Sequence, residues 1–396
     1  MTPNTQRVLI LGGDGFCGWP TSLHLSNLGF DVLIVDDFSR RRIDFELQVE
    51  SLTPIRSLHE RLSAWRRVSG RSIPYTSFDI ATRYDELKST IAAYKPTAIV
   101  HFAEQKSAPY SMKSSYLKRY TISQNTGATT NLLCALIETG TDAHVVHLGT
   151  MGVYGYQTTE MDLPEGYLDV KIPDRDGSLI NKRILHPFDP GSVYHMTKCL
   201  DSMLFYYFNK QDGIRVTDLH QGIVWGTHTP ETLLAEELIN RFDYDGDFGT
   251  VLNRFLIQAA VGYPLTVHGA GNQTRAFINI RDTVRCIELA IKNPPAPGSQ
   301  VQIYNQLTEI YRVSELAHLV SGISGVPVQS VSNPRTEDEN NKLAAKYENL
   351  IKLGLEPTNL KDGLLSELID IAKRYGGRVD ESKIPCSSNW SRTFKK

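Results

Sequence analysis

The chain has 396 residues, enough to bury a substantial core as one large domain or two moderate ones. Its 42 Lys and Arg nearly balance 44 Asp and Glu, which leaves neither a basic block for nucleic acid nor a disordered acidic tail. Five scattered cysteines (Cys17, Cys134, Cys199, Cys286, Cys386) form no CxxC pair, arguing for a reducing compartment and against a disulfide framework or metal site. No apolar run approaches the ~20 residues that span a bilayer. The first strand begins by Arg7, so no leader peptide is expected. A soluble, cytoplasmic globular protein without a metal is the expectation.

Arg7–Leu11 is a short apolar run of the kind buried in a parallel sheet. It enters Gly12-Gly13-Asp14-Gly15-Phe16-Cys17-Gly18, whose glycines at 12, 15 and 18 give a GxxGxxG spacing. Such a turn offers the free N–H groups of a helix N-terminus to a pyrophosphate. The helix expected from Trp19 to Leu28 stops at Gly29. Asp31–Val35 is the second strand, and Asp36-Asp37 follow it. A carboxylate there binds a ribose 2′-hydroxyl and favours NAD over NADP. Arg40-Arg41-Arg42 is either a solvated loop or an anion contact. Residues 43–72 read as a partly helical insert. Tyr75–Ile80 reads as a strand with Asp79 at its end, placed to meet an adenine amino group. After a helix over Tyr84–Tyr94, the strand Ala98–Phe102 carries His101, read as packed. It releases the polar loop Ala103–Ser111, which should line the ligand crevice.

A long helix is expected over Tyr116–Glu138, with Gln124 and Asn125 inside it, then a strand over Ala143–Leu148. Thr150 follows, a hydroxyl at a strand end. Residues 156–190 form a polar, proline-bearing excursion on the substrate side. In Tyr194-His195-Met196-Thr197-Lys198, a YxxxK spacing puts the phenol and the ammonium on one helix face. A cation beside a phenol favours phenolate, so Lys198 is expected to lower the Tyr194 pKa from about 10 and make it a base for a sugar hydroxyl. Beyond strand Arg215–Leu219 and Gln221–Gly226 the regular β–α alternation weakens. Helices are expected over Leu233–Phe242, Val251–Val261, Thr283–Ile291 and Val313–Val320, with strands Leu265–His268 and Val301–Tyr304. Arg254 beside Asn253, Arg275 beside Gln273, and Arg335 beside Asn333 are suited to clamp a diphosphate. The pattern predicts an α/β fold. A Rossmann doubly wound parallel sheet spans 1–226 (insert 43–72, loop 156–190), and a smaller C-terminal α/β substrate lobe spans 227–396. The polar tail from Gly376 onward is either partly ordered or an oligomer arm.

With GxxGxxG, Thr150 and YxxxK in this order, the chain resembles the extended short-chain dehydrogenase/reductase family of nucleotide-sugar enzymes. The likeness to a sulfonating branch rests on Gly12–Trp19, Glu50–Ile55, Glu104–Met112, Leu148–Gly152, Tyr194-His195, Asn240–Asp245, Phe248–Phe255, Gly271–Arg275, Ile280–Val284 and Asn333–Arg335. The resemblance implies tightly held NAD, UDP-glucose and sulfite as substrates, and UDP-sulfoquinovose as product. Its route runs through a 4-ketone and a 4-keto-5,6-ene. It also implies a homodimer and a possible glutamate-synthase-like sulfite donor. It assigns Thr150, Tyr194 and Lys198 to the catalytic site, to which Met151 and His195 are added as neighbouring candidates. To the cofactor it assigns Gly12, Gly15, Phe16, Cys17, Gly18, Asp36, Asp37, Arg40, Asp79, Ile80, Phe102, Ala103, Glu104, Lys106, Gln124, Tyr194, Lys198 and Gln221. To the substrate it assigns Gln105, Ser107, Thr150, Met151, Gln221, Asn253, Arg254, Thr266, Gln273, Arg275 and Arg335.

Dehydratase relatives carry an Asp-Glu pair just after the threonine, where Met151 and Gly152 stand here. His195 is therefore the candidate for proton work at C5 and C6, a packed histidine being the alternative. The chain departs from the branch pattern at Val153 (Glu expected), Lys106 (Arg), Ala103 (Gly), His220 (Asn) and Gln124 (Asn), and loop 156–190 is longer. A 4-epimerase, a dehydratase, a divergent member using another sugar or nucleophile, and a non-catalytic NAD sensor stay open.

Overall fold

In the computed structural model, residues 6 to 390 are described apart from 158–160, 336, 339, 363, 387 and 389. The last six residues of the expected tail lie outside them. The chain runs β1 (Arg7–Leu11), α1 (Gly18–Asn27), β2 (Asp31–Val35), α2 (Ser39–Leu47), α3 (Leu58–Ser69), β3 (Tyr75–Thr76), α4 (Tyr84–Tyr94), β4 (Ala98–His101) and α5 (Ala108–Met112). Then come α6 (Ser115–Thr139), β5 (His144–Leu148), β6 (Tyr167–Pro173), β7 (Leu179–Leu185), α7 (Val193–Asp212), β8 (Val216–Gln221) and β9 (Ile223–Trp225). The remainder is α8 (Val251–Val261), β10 (Leu265–His268), β11 (Thr274–Asn279), α9 (Ile280–Lys292), β12 (Gln302–Gln306), β13 (Glu309–Arg312), α10 (Val313–Ser324), β14 (Val328–Val331), α11 (Glu348–Lys352) and α12 (Leu364–Arg374).

Seven strands form one parallel sheet in the order β12-β8-β5-β4-β1-β2-β3. Alternate residues of each strand face opposite layers. Val8, Ile10, Val32 and Ile34 pack on Trp19, Leu23, Leu62 and Trp65 from α1 and α3, and on Ile287 from α9. Leu9, Leu11 and Val145 pack on Leu87 of α4, Leu132 and Leu136 of α6 and Phe205 of α7. Burial on both faces explains the unbroken apolar runs in the sequence. A second core joins Trp225, Phe255, Phe277, Leu316 and Leu368 from β9, β11, α8, α10 and α12. This is the expected doubly wound fold with a smaller lobe. No helix among the described residues is long and apolar enough to cross a membrane.

Four local expectations differ. The strand expected in the second lobe near Val301 pairs with β8 and extends the first sheet, so the chain crosses back between lobes. The helix over Leu233–Phe242 does not form; only short 3₁₀ turns occur, at Glu231–Leu233 and Glu236–Leu238. Its apolar residues share no helical face: Leu233 and Leu234 are exposed while Leu238 and Phe242 are buried. Its carbonyls are taken instead by Thr53 Oγ1 at Asn240 and by Leu52 N at Phe242. The strand over Tyr75–Ile80 ends at Thr76, because Asp79 caps a turn by accepting from Ala81 N and Thr82 Oγ1. The excursion 156–190 contains an antiparallel hairpin, β6 with β7, from Tyr167↔Leu185 to Pro173↔Leu179.

Candidate active site

The glycine turn is shaped by close approach. A Cβ on Gly18 would lie 2.0 Å from the Gly12 carbonyl oxygen, and one on Gly12 would lie 2.9 Å from Ala103 N. Gly12 also takes φ +90°, which a side chain disfavours. The α1 N-terminus therefore opens directly onto the carboxyl ends of the strands, where ligands bind in such sheets. Asp36 lies across the turn, accepting from Asp14 N at 2.8 Å and Phe38 N at 2.8 Å. Burial, then the neighbouring Asp14, pushes its carboxyl up to about 7. Asp37 accepts from Ser39 N and from Arg42. Arg40 stacks 3.7 Å over the Phe248 ring and pairs with Asp44.

All residues assigned to the cofactor border one cavity of about 270 Å³: Gly12, Gly15, Phe16, Cys17, Gly18, Asp36, Asp37, Arg40, Asp79, Ile80, Phe102, Ala103, Glu104, Lys106, Gln124, Tyr194, Lys198 and Gln221. A glycine cradle at a helix N-terminus with a carboxylate beyond β2 fits a dinucleotide.

A second cavity of about 270 Å³ is lined by Ser107, Thr150, Met151, Tyr194, His195, Gln221, Arg254, Gln273, Arg275 and Arg335. Lys106, Thr150, Tyr194 and Gln221 border both cavities, which makes one continuous cleft. Three residues assigned to the substrate stand elsewhere. Gln105 borders the first cavity, its amide donating to Ser107 O and Thr121 Oγ1. Asn253 is buried and accepts from Gly226 N at 3.0 Å. Thr266 exchanges hydrogen bonds with Gln258, as acceptor at 2.8 Å and donor at 3.1 Å. Asn253 and Thr266 serve packing, not the cavity.

The sequence pattern predicts a lowered phenol at Tyr194, and the structure corrects it. Burial, the largest influence, outweighs the Lys198 charge and raises Tyr194 to about 12. A lesser cause is visible around Lys198, whose Nζ lies 2.8 Å from Glu104 Oε2, 2.7 Å from Leu148 O and 3.0 Å from His147 Nε2. Glu104 pairs with the cation that was expected to draw the proton off Tyr194 and partly opposes it. Behind it, His147 Nδ1 meets Asp218 Oδ1 at 2.8 Å, Asp218 Oδ2 meets His220 Nε2 at 3.2 Å, and His220 Nδ1 meets the Tyr154 hydroxyl at 2.8 Å. Glu104, His147 and Asp201 converge as metal ligands do, but the Lys198 ammonium already sits against two of them. Sequence reading missed this network, because its residues lie on five separate segments and become neighbours only through sheet order.

Thr150 Oγ1 accepts from Gly152 N at 3.1 Å. His195 is buried, with Nδ1 3.1 Å from Ser192 Oγ and Nε2 3.2 Å from the Tyr156 hydroxyl. Burial, then Arg335 and Arg275, pushes its pKa down to about 3, so the imidazole is neutral. His101 is packed as expected, with Nε2 3.2 Å from Thr129 Oγ1. Val153 is fully buried among Tyr154, Leu163, Cys199 and Leu307 and does not border the cleft. Further unforeseen lining residues are Tyr156, Phe248, Glu337 and Cys386. Cys386 and Trp390 belong to the tail, which folds back so that Trp390 lies under Arg335, 4.7 Å from ring to guanidinium.

The fold and cleft define a dinucleotide-dependent α/β enzyme with a tyrosine–lysine centre. A sequence profile of the NAD dependent epimerase/dehydratase family matches residues 8–305, and the chain belongs to that family. It is 44% identical to the UDP-sulfoquinovose synthase, chloroplastic, of Spinacia oleracea, over 99% of this chain and 80% of that protein. It is 38% identical to the UDP-sulfoquinovose synthase of Sulfolobus acidocaldarius, over 89% of this chain and 88% of that one. Among solved structures, the UDP-glucose 4-epimerase of Thermotoga maritima with UDP-glucose has a TM-score of 0.67 at 20% identity, covering 93% of this chain and 98% of its own. The UDP-glucose 4-epimerase of Thermus thermophilus in complex with NAD has a TM-score of 0.64 at 19% identity, covering 94% and 100%. At such identities these two speak for the fold alone.

Proposed function

We propose that the protein converts UDP-glucose and sulfite to UDP-sulfoquinovose, with NAD and with 4-keto and 4-keto-5,6-ene sugar intermediates. The observation that carries this reading is the junction of the two cavities at Thr150 and Tyr194. A hexose entering from the arginine side meets these hydroxyls at the mouth of the dinucleotide cavity. In this reading the glycine turn holds the pyrophosphate, Asp36 the adenosine ribose and Asp79 the adenine, while Tyr194 and Lys198 face the nicotinamide end. When bound, NAD takes the C4 hydrogen as hydride and returns it at the end, so the net reaction is not redox.

Thr150 and Tyr194 hold the sugar 4-hydroxyl; Tyr194 first gives its own proton to water in the cleft and then, as the phenolate, receives the hydroxyl proton. A phenol near 12 is a weak acid, so its conjugate base is strong enough to take an alcohol proton once ionised. Lys198 stabilises that phenolate. The resulting 4-ketone acidifies the C5 proton, which neutral His195 is placed to accept. The C6 hydroxyl leaves as water with the proton that His195 took from C5, and hydrogen sulfite adds across the double bond, its sulfur to C6 and its proton to C5. Arg254, Arg275 and Arg335 clamp the diphosphate.

We further read the enzyme as a homodimer, since Leu200, Met203 and Tyr207 of α7 are 40%, 50% and 58% exposed on a long helix. A sulfite-donating partner enzyme fits the chemistry, and five free cysteines favour a reducing compartment, the cytoplasm in our reading. The test is mass spectrometry of the nucleotide sugar after incubating the purified protein with UDP-glucose, with and without sulfite. A sulfonated UDP-hexose that forms only with sulfite is expected. A UDP-hexose unchanged in mass but converted to its 4-epimer would overturn the proposal.

A further inference from the structure

The cleft contains a second pair of proton-handling groups besides Tyr194 and Lys198. His195 Nε2 lies 3.2 Å from the Tyr156 hydroxyl, and the two rings meet edge to face at 5.5 Å. Its Nδ1 lies 3.1 Å from Ser192 Oγ, which also accepts from His195 N. Both rings border the substrate cavity. Two glycines make room for them: a Cβ on Gly152 would lie 2.3 Å from His195 Cδ2, and one on Gly191 would lie 2.8 Å from Tyr156 Cδ2. Tyr156 is held from its other side by the Arg275 guanidinium 4.7 Å over its ring, and its carbonyl accepts from Asn341 Nδ2 at 3.1 Å.

Among the described residues, no carboxylate competes for this role. Met151 and Val153 carry none, and the described acidic residues bordering the cavity are engaged, Asp247 with Lys113 and Glu337 with Arg275. We propose that Tyr156 is the positioning residue for His195, fixing the imidazole over the sugar and setting which ring nitrogen is free to accept the C5 proton. This rests on the function proposed above.

The chemistry follows from what each group donates. A neutral imidazole has one N–H and one lone pair. Tyr156 donating to Nε2 leaves Nδ1–H to donate to Ser192, so the phenol selects the tautomer whose lone pair is on Nε2. When the sugar takes the place of the phenol at Nε2, that lone pair is free for the C5 proton. Burial, then Arg335 and Arg275, keeps the ring uncharged, and Tyr194 adjoins from the same helix, its ring 5.3 Å away.

The test compares wild type with Tyr156→Phe, which keeps the ring and loses the hydroxyl. Purified enzyme is mixed with UDP-glucose in deuterated buffer without sulfite, reading nicotinamide reduction at 340 nm and deuterium at C5 in the same sample. The expected result is a C5 exchange that, divided by the 340 nm signal, falls roughly 100-fold in the variant. An unchanged ratio overturns the inference and leaves the proposed function standing. Absence of a 340 nm rise in wild type overturns both. A second measurement is independent of turnover: ¹⁵N ring shifts of His195, assigned by their loss in His195→Gln. Tyr156→Phe is expected to shift the tautomer ratio, and identical shifts would overturn the positioning role even if activity fell.

Discussion

Replacing Glu104 with Gln removes a charge and almost no volume, so its effect isolates the ion pair under Lys198. The side chains of Glu104, Lys198 and His147 are 2%, 4% and 0% exposed. Breaking a buried pair by removing one partner costs about 3–5 kcal/mol, because the other charge stays buried without compensation. Here His147 can give up a proton and accept from Lys198, which places the expected loss near the lower end, about 3 kcal/mol. With a urea slope of roughly 3 kcal/mol/M, the midpoint falls by roughly 1 M. The assay is urea unfolding followed by circular dichroism at pH 7, with and without added NAD. The double variant Glu104→Gln, Lys198→Met removes both charges and is expected to recover at least about half of the loss. The pH dependence adds a second readout. Lys198 and His147 outweigh burial and hold Glu104 below the ordinary carboxylate range. Its contribution is therefore complete above the unfolded value of about 4.3 and drains away as pH falls below it. Wild type should lose stability over that acid range more steeply than Glu104→Gln. Equal midpoints at pH 7 with equal acid slopes would refute the neutralisation of Lys198 by Glu104.

Gly18→Ala places a Cβ 2.0 Å from the Gly12 carbonyl; overpacking of about 1–3 kcal/mol predicts NAD affinity roughly 10- to 100-fold weaker, read by titration calorimetry. His24 bridges Glu231 and Glu288, which against the opposing effect of burial raise its pKa to about 9. Its stabilisation is full below about 6.5 and is lost as pH rises through about 9, so the thermal midpoint of His24→Gln should depend less on pH over that window. Trp390→Ala removes the ring under Arg335. A loss of about 0.5–2 kcal/mol predicts a KM for the nucleotide sugar roughly 3- to 30-fold higher, with kcat little changed.

The dinucleotide half of the cleft was legible because its signals are local. A glycine turn between an apolar strand and a helix, with Asp36 ending the next strand, fixes its own geometry, and every residue assigned there borders the cavity. The substrate half was legible only through residue types. Arg254, Arg275 and Arg335 reach the cavity, whereas Asn253 and Thr266, adjacent to or paired with cavity elements, point into packing. The raised phenol of Tyr194 was not legible. YxxxK spacing places Lys198 beside it, but burial of the phenol outweighs that charge, and Glu104, ninety-odd positions earlier, opposes it across the sheet. Val153 illustrates the converse. It departs from the branch pattern, yet it lies sealed in a small apolar cluster.

The tail has a consequence for the order in which the protein becomes competent. The cofactor cavity is lined by residues no later than Thr250, whereas the sugar cavity needs Cys386. The tail seats closely: Gly246 N donates to Lys383 O at 2.9 Å, and a Cβ on Gly246 would lie 2.4 Å from Pro385 O. At a synthesis rate of about 5–20 residues per second, the last lining residue follows Thr250 by roughly 7 to 27 s. A nascent chain thus possesses every group that lines the first cavity well before it can complete the wall of the second. Until the tail arrives, the arginine-lined half of the cleft lacks part of its wall, and a growing chain has one finished chamber of the two.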